Sequence, residues 1–286
     1  MINSGKYTKL NYISWNILVV FLLGILGTKA EGELLNSNFG ENEYESIETL
    51  FINNTTQIKN QLLFIEAKIL LKISHKNKFL EIGPGPGYAT EKVAKSFSKT
   101  AVVEPIKAYQ IKHKGRGYIT FIENFQNVKL HDLYDFILCS HVLYYVKRDQ
   151  WDYFLKKIYD SIEPNGKALI VLLAPRGGWA DLHLAIKSDY LNSKEIELAL
   201  NRQGIQYEIS FVQSFFKFPK RKGFEKIVKA FTIDNCFAPE AFNQLTNDKK
   251  TDIYKKIDEY IDRCKKPDGS YETIWEDGYI VLSKKG

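Results

Sequence analysis

The chain has 286 residues, which is enough for one large domain or two small ones. Hydrophobic residues make up 44% and charged residues 26%, and these fractions of an ordinary globular protein exclude a disordered or fibrous chain. The net charge of +6 is spread along the sequence, so it indicates no dedicated nucleic-acid surface.

The first 40 residues are interpreted as a signal-like apolar segment followed by a linker. Residues 17–27 read ILVVFLLGILG, with Lys6 and Lys9 before them and small residues after them, which is the layout of a secretory signal. Residues 13–28 are shorter than the roughly 20 residues of a spanning helix, so a cleaved signal, a membrane-contacting anchor and a spurious extension stay open. The three sparse cysteines favour a reducing compartment instead. Localisation is therefore left open between the cytoplasm and secretion or anchoring.

Residues 41–286 are predicted to form one domain in which strands alternate with helices. Apolar residues recur at helical spacing on both sides of 53–56, which predicts two helices broken there. The later predicted elements are strand 78–82, helix 88–97, strand 101–104, a helix to about 114, strands 118–122 and 134–139, helix 151–162, a turn at 164–166, strand 167–174, helix 193–201, strand 206–212, helices 224–231 and 251–261, and strand 278–282. This alternation predicts an α/β fold with a doubly wound, mostly parallel seven-stranded sheet. A helical insertion is expected at about 214–270, before the last strand.

A glycine-rich turn follows the first predicted strand. Gly83, Gly85 and Gly87 have the spacing G-x-G-x-G, and glycine in such a turn lets backbone N–H groups approach a ligand closely. The dinucleotide fingerprint would need a glycine at Tyr88, so an NAD-dependent oxidoreductase is disfavoured. Glu104 ends the second strand at the interval expected of a carboxylate that binds ribose hydroxyls.

These residues resemble the S-adenosylmethionine-dependent methyltransferases of the doubly wound class, whose pattern is an acid, G-x-G-x-G and a second acid. The resemblance implies that Glu81 and the three glycines hold the methionine part of S-adenosylmethionine and that Glu104 holds its ribose. It also implies further contacts with this cofactor: Glu123 or Asn124 near the adenine, and Ser140 and His141 beside the sulfonium.

A closer resemblance, to the histamine N-methyltransferase family, covers most of the chain after residue 38. It rests on VVEP at 102–105, YDFILCSHVLYYVK at 134–147, the Gly-Gly-Trp turn at 177–179 and the stretch from 204 to 237. It extends weakly upstream through residues 45–61.

The family resemblance implies a substrate pocket with an aromatic lining. Tyr144, Tyr145 and Trp179 match its aromatic residues. Gln57 stands where the family has a glutamate that holds the substrate, and His141 stands where it has a glutamine. Because a glutamine lacks the charge that helps to hold a cationic amine, the resemblance leaves histamine itself open as the substrate. His141 is the candidate base.

The predicted function is transfer of a methyl group from S-adenosylmethionine to a nitrogen of a small amine or imidazole. Such a direct displacement depends on positioning more than on covalent chemistry. The alternatives are a cofactor-binding relative that has lost methyl transfer and a methyltransferase of a different small molecule. A nucleic-acid methyltransferase is disfavoured because residues 140–143 lack the Asn/Asp-Pro-Pro-aromatic run of that class. We expect a monomer with no metal and no nucleic-acid partner.

Overall fold

The computed structural model describes residues 41–237 and 239–286. The apolar run at 17–27 lies outside the described residues, so its interpretation as a signal or an anchor stays a prediction. Within the described ranges, no helix combines the length and the apolar composition that crossing a membrane requires.

Seven strands of the described chain form one sheet in the order β3-β2-β1-β4-β5-β7-β6. Their bounds are β1 Lys78–Ile82, β2 Lys99–Val103, β3 Ile119–Phe121, β4 Tyr134–Ser140, β5 Ile162–Leu173, β6 Tyr207–Phe218 and β7 Tyr271–Ser283. β1 to β5 pair in parallel, whereas β7 runs antiparallel to both β5 and β6. The predicted fold class is confirmed.

Helices cover both faces of the sheet and its carboxyl edge. Their bounds are α1 Glu41–Ile52, α2 Gln57–Ile65, α3 Tyr88–Val93, α4 Lys107–Gly115, α5 Trp151–Asp160, α6 Gly178–Ile186, α7 Ser193–Arg202, α8 Arg221–Cys236, α9 Pro239–Asn243 and α10 Asn247–Arg263. A π-helical turn, Glu66–Leu70, continues α2, and a 3-10 turn, Leu143–Tyr145, follows β4. The break between α1 and α2 lies where the sequence predicts it, and α8 to α10 form the helical insertion before the last strand.

Three apolar clusters hold these layers together. One face of the sheet packs against α5 and α7, and the other packs against α2 and α3. The central strands are apolar along their length because both of their faces are covered, and the rings of Phe79 and Phe136 stack at 5.4 Å between centroids. The third cluster joins α1, α6, α8 and α10 to the outer part of β6 and β7.

The sequence predicts a turn at 164–166 and a strand that begins after it. This prediction is wrong, because residues 164–166 lie within β5. Tyr134 pairs with Ile162 and Phe136 pairs with Lys167, so the intervening residues of β5 bulge out of the ladder. Asn165, at φ +65°, still donates its N–H to the carbonyl of Lys284 at 2.9 Å. The Pro-Asn-Gly sequence therefore forms a bulge within a strand that is longer than predicted.

β6 and β7 are longer than the sequence predicts. They pair continuously from Tyr207 opposite Leu282 to Phe218 opposite Tyr271. Residues 214–218, which the sequence assigns to the helical insertion, belong to β6, so that boundary is wrong. Asp277 pairs with Leu173, the last residue of β5. The first six residues of β7 therefore extend past the edge at which the parallel strands end.

The strand order reverses between β1 and β4, since β2 and β3 follow on one side and β5 on the other. Open α/β sheets bind ligands at such a switch point, outside the carboxyl ends of the strands. The loop after β1 and the turn after β4 both leave the sheet there.

A buried carboxylate ties β4 to the start of β1 and gives a stability prediction. Asp135 Oδ2 accepts hydrogen bonds from the N–H groups of Asn77 and Lys78, at 2.8 and 2.7 Å. Asp135→Ala removes both bonds to a charged acceptor, so the free energy of unfolding should fall by about 2–3 kcal/mol in urea titration of the full chain.

The matched control for Asp135→Ala is Asp132→Ala. Asp132 is half exposed and pairs on the surface with Lys78 at 2.5 Å, and such a pair contributes about 0–1 kcal/mol. Equal losses in the two variants would contradict the prediction.

Candidate active site

The loop between β1 and α3, residues 83–87, has a backbone that requires glycine. Gly83, Gly85 and Gly87 have φ values of +62°, +53° and +82°, in the left-handed region that other residues rarely adopt. A Cβ placed on Gly83 would lie 2.6 Å from Val142 Cγ2. This glycine loop therefore lies directly against the turn after β4, at the switch point of the sheet.

Three carboxyl groups converge on the glycine loop. Glu81 is only 4% exposed, and its Oε2 is buried with no hydrogen-bond partner. Glu104 is 2% exposed, and its two oxygens accept from the N–H groups of Gly85 at 3.0 Å and Ile106 at 2.8 Å. Glu48 reaches the loop from α1 and accepts a hydrogen bond from the Tyr109 hydroxyl at 3.1 Å.

Burial makes these carboxyl groups hard to ionise. Desolvation raises the pKa of Glu81 to about 7 and is the largest cause of the rise of the Glu104 pKa to about 8. Desolvation also raises the pKa of Glu48 to about 7, against the hydrogen bond from Tyr109. Because a nearby positive charge would favour the ionised forms, the surroundings of the loop are complementary to a cationic ligand.

The remaining residues that the sequence assigns to the cofactor lie at the same edge of the sheet. The Glu104 N–H donates to the Phe121 carbonyl, so β2 and β3 end side by side, and Glu123 and Asn124 follow β3. The Glu123 side chain is exposed. Ser140, the last residue of β4, accepts a hydrogen bond from Gln61 Nε2 at 2.7 Å. Their contacts with a cofactor stay predictions.

A small cavity of about 70 Å³ opens beside the turn after β4. Its aromatic and polar lining consists of Phe51, Gln57, His141, Tyr144, Tyr145, Phe231, Asp234, Asn235 and Trp275. Four of the five residues that the sequence assigns to the substrate pocket therefore meet in what we call the aromatic cavity.

Trp179, the fifth of these residues, is not part of the cavity lining. It is 1% exposed and packs one layer behind, with its ring 4.5 Å from that of Trp275 and at 73° to it. Trp275 is the tryptophan that lines the cavity. A direct contact between Trp179 and a substrate stays a prediction.

His141 is held in an unusual backbone conformation at the end of β4. Its φ is +58°, a strained value for a residue other than glycine, and its N–H donates to the Val171 carbonyl at 2.9 Å. Its imidazole stacks on the Tyr144 ring at 6.0 Å and meets the Trp275 ring edge-on at 6.1 Å. Strain of this kind is typical of residues whose side chains must reach a site.

A buried aspartate organises the polar wall of the cavity. Asp277 is 0% exposed and accepts hydrogen bonds from Gln57 Nε2 at 2.8 Å and from Trp275 Nε1. Gln57 Nε2 also lies 3.1 Å from His141 Nε2. Because the bond to Asp277 fixes the Gln57 amide as a donor, we assign His141 Nε2 as the acceptor and Nδ1 as the protonated nitrogen. The imidazole therefore cannot take a proton on Nε2 without losing its contact with Gln57.

Sequence reasoning missed the residues that come from α1, α8 and the outer part of β7. They are Glu48 beside the glycine loop, and Phe51, Phe231, Asp234, Asn235, Trp275 and Asp277 in or behind the aromatic cavity. One signal was available for Asp277, since Trp-Glu-Asp directly precedes the apolar run of the last predicted strand. Acids at the end of a buried strand point to a site.

Comparison with known proteins identifies a family and a fold that the chain matches. The methyltransferase domain family matches residues 56–231, more than half of the chain. Histamine N-methyltransferase B of Xenopus laevis is 30% identical over 164 residues, which are 46% of this chain and 55% of that protein. The chain therefore matches about half the length of this relative.

Two solved structures share the fold at low sequence identity. The YcgJ protein of Bacillus subtilis is 12% identical with a TM-score of 0.51, over 79% of this chain and 97% of that one. A cyclopropane-fatty-acyl-phospholipid synthase-like protein of Lactobacillus casei ATCC 334 is also 12% identical, with a TM-score of 0.54 over 79% and 90%. At such identities the likeness concerns the fold alone.

The three carboxyl groups at the glycine loop give a pH prediction for the ligand-free full chain. Their folded-state pKa values of about 7, 7 and 8 exceed the ordinary value of 4.5, so between these values the folded chain binds more protons than the unfolded chain. Their stabilising contribution is complete below pH 4.5 and is lost as the pH rises through 7 to 8. Urea titrations at successive pH values should show this decline in the free energy of unfolding.

Glu81→Gln isolates one of these groups, because glutamine cannot ionise. At about pH 8 this variant should unfold with a free energy about 2–3 kcal/mol higher than the unmodified chain, and its pH slope should be flatter. Glu66→Gln, at an exposed position on the π-helical turn, should leave the slope unchanged. An unaltered slope in Glu81→Gln would contradict the assignment.

Proposed function

The chain belongs to the methyltransferase domain family, and we propose that it transfers a methyl group from S-adenosylmethionine to a nitrogen of a small amine or imidazole. The resemblance to histamine N-methyltransferases supports a nitrogen acceptor, and the aromatic lining of the cavity supports a small, flat or cationic substrate.

The residues around the glycine loop fit the proposed cofactor. Three left-handed glycines let the loop curve into a cradle packed closely against Val142, Glu48 and His113, and the buried Glu81 Oε2 has no hydrogen-bond partner among the described residues. Each oxygen of Glu104 accepts one backbone N–H and can accept a further hydrogen bond, such as one from a ribose hydroxyl. When bound there, S-adenosylmethionine would supply a methyl group on a positively charged sulfur.

One contact carries the proposal. Gly83 of the glycine loop lies against Val142, and Val142 is the neighbour of His141 in the aromatic cavity. The cradle and the cavity therefore share one edge of the sheet, as transfer between two bound molecules requires. Stacking between Tyr144 and His141, together with the edge of Trp275, would hold an acceptor in a fixed orientation.

Calorimetry with S-adenosylmethionine tests cofactor binding by the full chain. We expect binding, and we expect Glu104→Gln to weaken it by about tenfold or more because the amide has one acceptor oxygen where the carboxyl group has two. Glu66→Gln serves as the control at an exposed site. A well-folded chain that does not bind S-adenosylmethionine would refute the proposal.

A methyl-transfer screen over histamine, other imidazoles and simple amines separates the proposed activity from its alternatives. Products are identified by mass. Methylation of an amine or imidazole nitrogen supports the proposal. Cofactor binding without any methylated product would favour a relative that has lost transfer, and methylation only of compounds of another class would favour a different substrate.

His141 gives a mechanistic prediction. A base is needed only to keep the acceptor nitrogen unprotonated, and His141 Nε2 is already engaged by Gln57. His141→Ala should therefore lower kcat by about tenfold, less than the ~10²–10⁴-fold of an essential general base. His131→Ala, at an exposed histidine, is the control. Complete loss of turnover with normal cofactor binding would instead assign His141 a strict base role.

A further inference from the structure

We propose that His113 and Arg116 are positioning residues for the cofactor, because they fasten two successive carbonyl groups of the glycine loop to the end of α4 and so hold the cradle in its binding shape before a ligand arrives. This inference rests on the proposed function, because it concerns the site at which S-adenosylmethionine would bind. Neither residue belongs to the sequence motifs that point to that site.

The two side chains support the loop from the side of α4. His113 Nε2 lies 2.8 Å from the carbonyl oxygen of Gly85. Arg116 Nη1 donates to the carbonyl oxygen of Pro86 at 3.1 Å. A Cβ placed on Gly87 would lie 2.6 Å from His113 Cε1 and 2.8 Å from Arg116 Nη1, so both side chains pack directly against the loop. Residues 85–87 therefore share one support.

The contact with Gly85 assigns the protonated nitrogen of His113. A carbonyl oxygen can only accept, so Nε2 carries the proton, and Nδ1 is an acceptor that faces Arg116 Nη1 at 3.5 Å. The His113 side chain is 0% exposed, and its ring stacks on that of Tyr118 at 6.2 Å between centroids. Burial lowers the pKa of His113, so the imidazole is a neutral, fixed donor to Gly85 near neutral pH.

The N–H groups of the loop are committed as well. Residues 83–87 contain three glycine N–H groups, which donate to Val103 O at 2.8 Å, to Glu104 Oε2 at 3.0 Å and to Pro84 O at 3.0 Å. The two prolines of the loop have no N–H to offer. The loop therefore meets a ligand as a fixed surface, and its value to the cofactor lies in its shape.

Gly85 connects the support on α4 with the proposed ribose contact. Its carbonyl accepts from His113, and its N–H donates to Glu104 Oε2. A loop that loses the bond to His113 is free to rotate the peptide groups of Gly85, and Glu104 then loses a fixed donor. The cofactor binds only those chains whose loop has the cradle shape, so the measured affinity falls in proportion to that fraction.

Calorimetry with S-adenosylmethionine and with S-adenosylhomocysteine tests the inference in the full chain. His113→Leu removes the donor and should weaken both ligands equally, by about tenfold, because both use the same cradle. His113→Gln places an amide N–H near the position of Nε2 and should keep both affinities within about threefold of the unmodified chain. His131→Leu, at an exposed histidine, is the control and should change neither affinity.

Arg116→Met is a second test at a half-buried position, where the core stays intact. It removes the donor to Pro86 and should weaken both ligands by about threefold to tenfold. Glu91→Gln is its control, because Glu91 is exposed and pairs with Arg116 without touching the loop carbonyls. This control should change either affinity by less than about twofold.

Two readouts separate positioning of the loop from a general loss of structure. With a methyl acceptor that turns over, His113→Leu should raise KM for S-adenosylmethionine about tenfold and leave kcat and the KM of the acceptor within about threefold. In the ligand-free chain, the Gly85 N–H should exchange with solvent at least about tenfold faster in His113→Leu than in His113→Gln.

The possible failures are distinguishable. A folded, unmodified chain that binds neither ligand would refute the proposed function. Normal binding by the unmodified chain, with unchanged affinities in both His113→Leu and Arg116→Met, would overturn the inference alone. Unequal losses for the two ligands, or equal losses in His113→Gln and His113→Leu, would also overturn it. Should His113→Leu fail to fold, Arg116→Met decides by the same comparison.

Discussion

β7 runs antiparallel to β5, and this single pairing determines where the aromatic cavity forms. The parallel strands end at one edge, whereas β7 enters the sheet from beyond that edge and reaches it at Asp277. The outer part of β7, paired with β6, therefore forms a wall above the carboxyl ends of β4 and β5. Trp275 and Asp277 lie on this wall, opposite His141 and Tyr144. Without this extension the residues after β4 would lose Trp275 and Asp277 as neighbours.

The glycine loop depends on a different constraint, which is the cost of burying charge. Glu48, Glu81 and Glu104 come from a helix and two strand ends; the fold buries Glu81 and Glu104 and leaves Glu48 partly buried. Hydrogen bonds from two backbone N–H groups offset only part of the cost of burying the Glu104 carboxyl group, and Glu81 Oε2 accepts no hydrogen bond. A positively charged ligand at the loop would favour the ionised forms of these carboxyl groups.

Short sequence patterns predict the cofactor side of the site, because the glycine loop and Glu104 directly follow β1 and β2. The predicted bounds of β1 match the observed ones. The apolar runs of β1 and β2 show where each strand ends, and the glycine loop and Glu104 come next along the chain. The outer parts of β6 and β7 could not be predicted in the same way. Their burial alternates, but apolar side chains lie exposed at Phe215 and Ile274 while polar ones lie buried at Ser214 and Thr273, so the apolar pattern does not follow the burial.

The same distinction explains the individual errors. Trp179 has the residue type expected of a pocket, but only the packing of α6 shows that Trp275 stands in front of it. The Pro-Asn-Gly sequence at 164–166 predicts a chain reversal. In the structure the hydrogen bonds between β5 and the end of β7 continue to Lys284, and the three residues form a bulge on the β4 side. The Trp-Glu-Asp signal before the last predicted strand does not by itself show the role of Asp277, because that role depends on Gln57, which lies 220 positions away along the chain.

The placement of α8 has an evolutionary consequence. This helix lies in the insertion between β6 and β7, and it contributes Phe231, Asp234 and Asn235 to the cavity. The glycine loop and Glu104 lie in the first half of the sheet, and neither belongs to that insertion. Mutations and length changes in the insertion can thus remodel what the cavity accepts while the cradle stays intact. A single ancestral scaffold could in this way give rise to paralogues that share one chemistry and differ in the metabolite they modify.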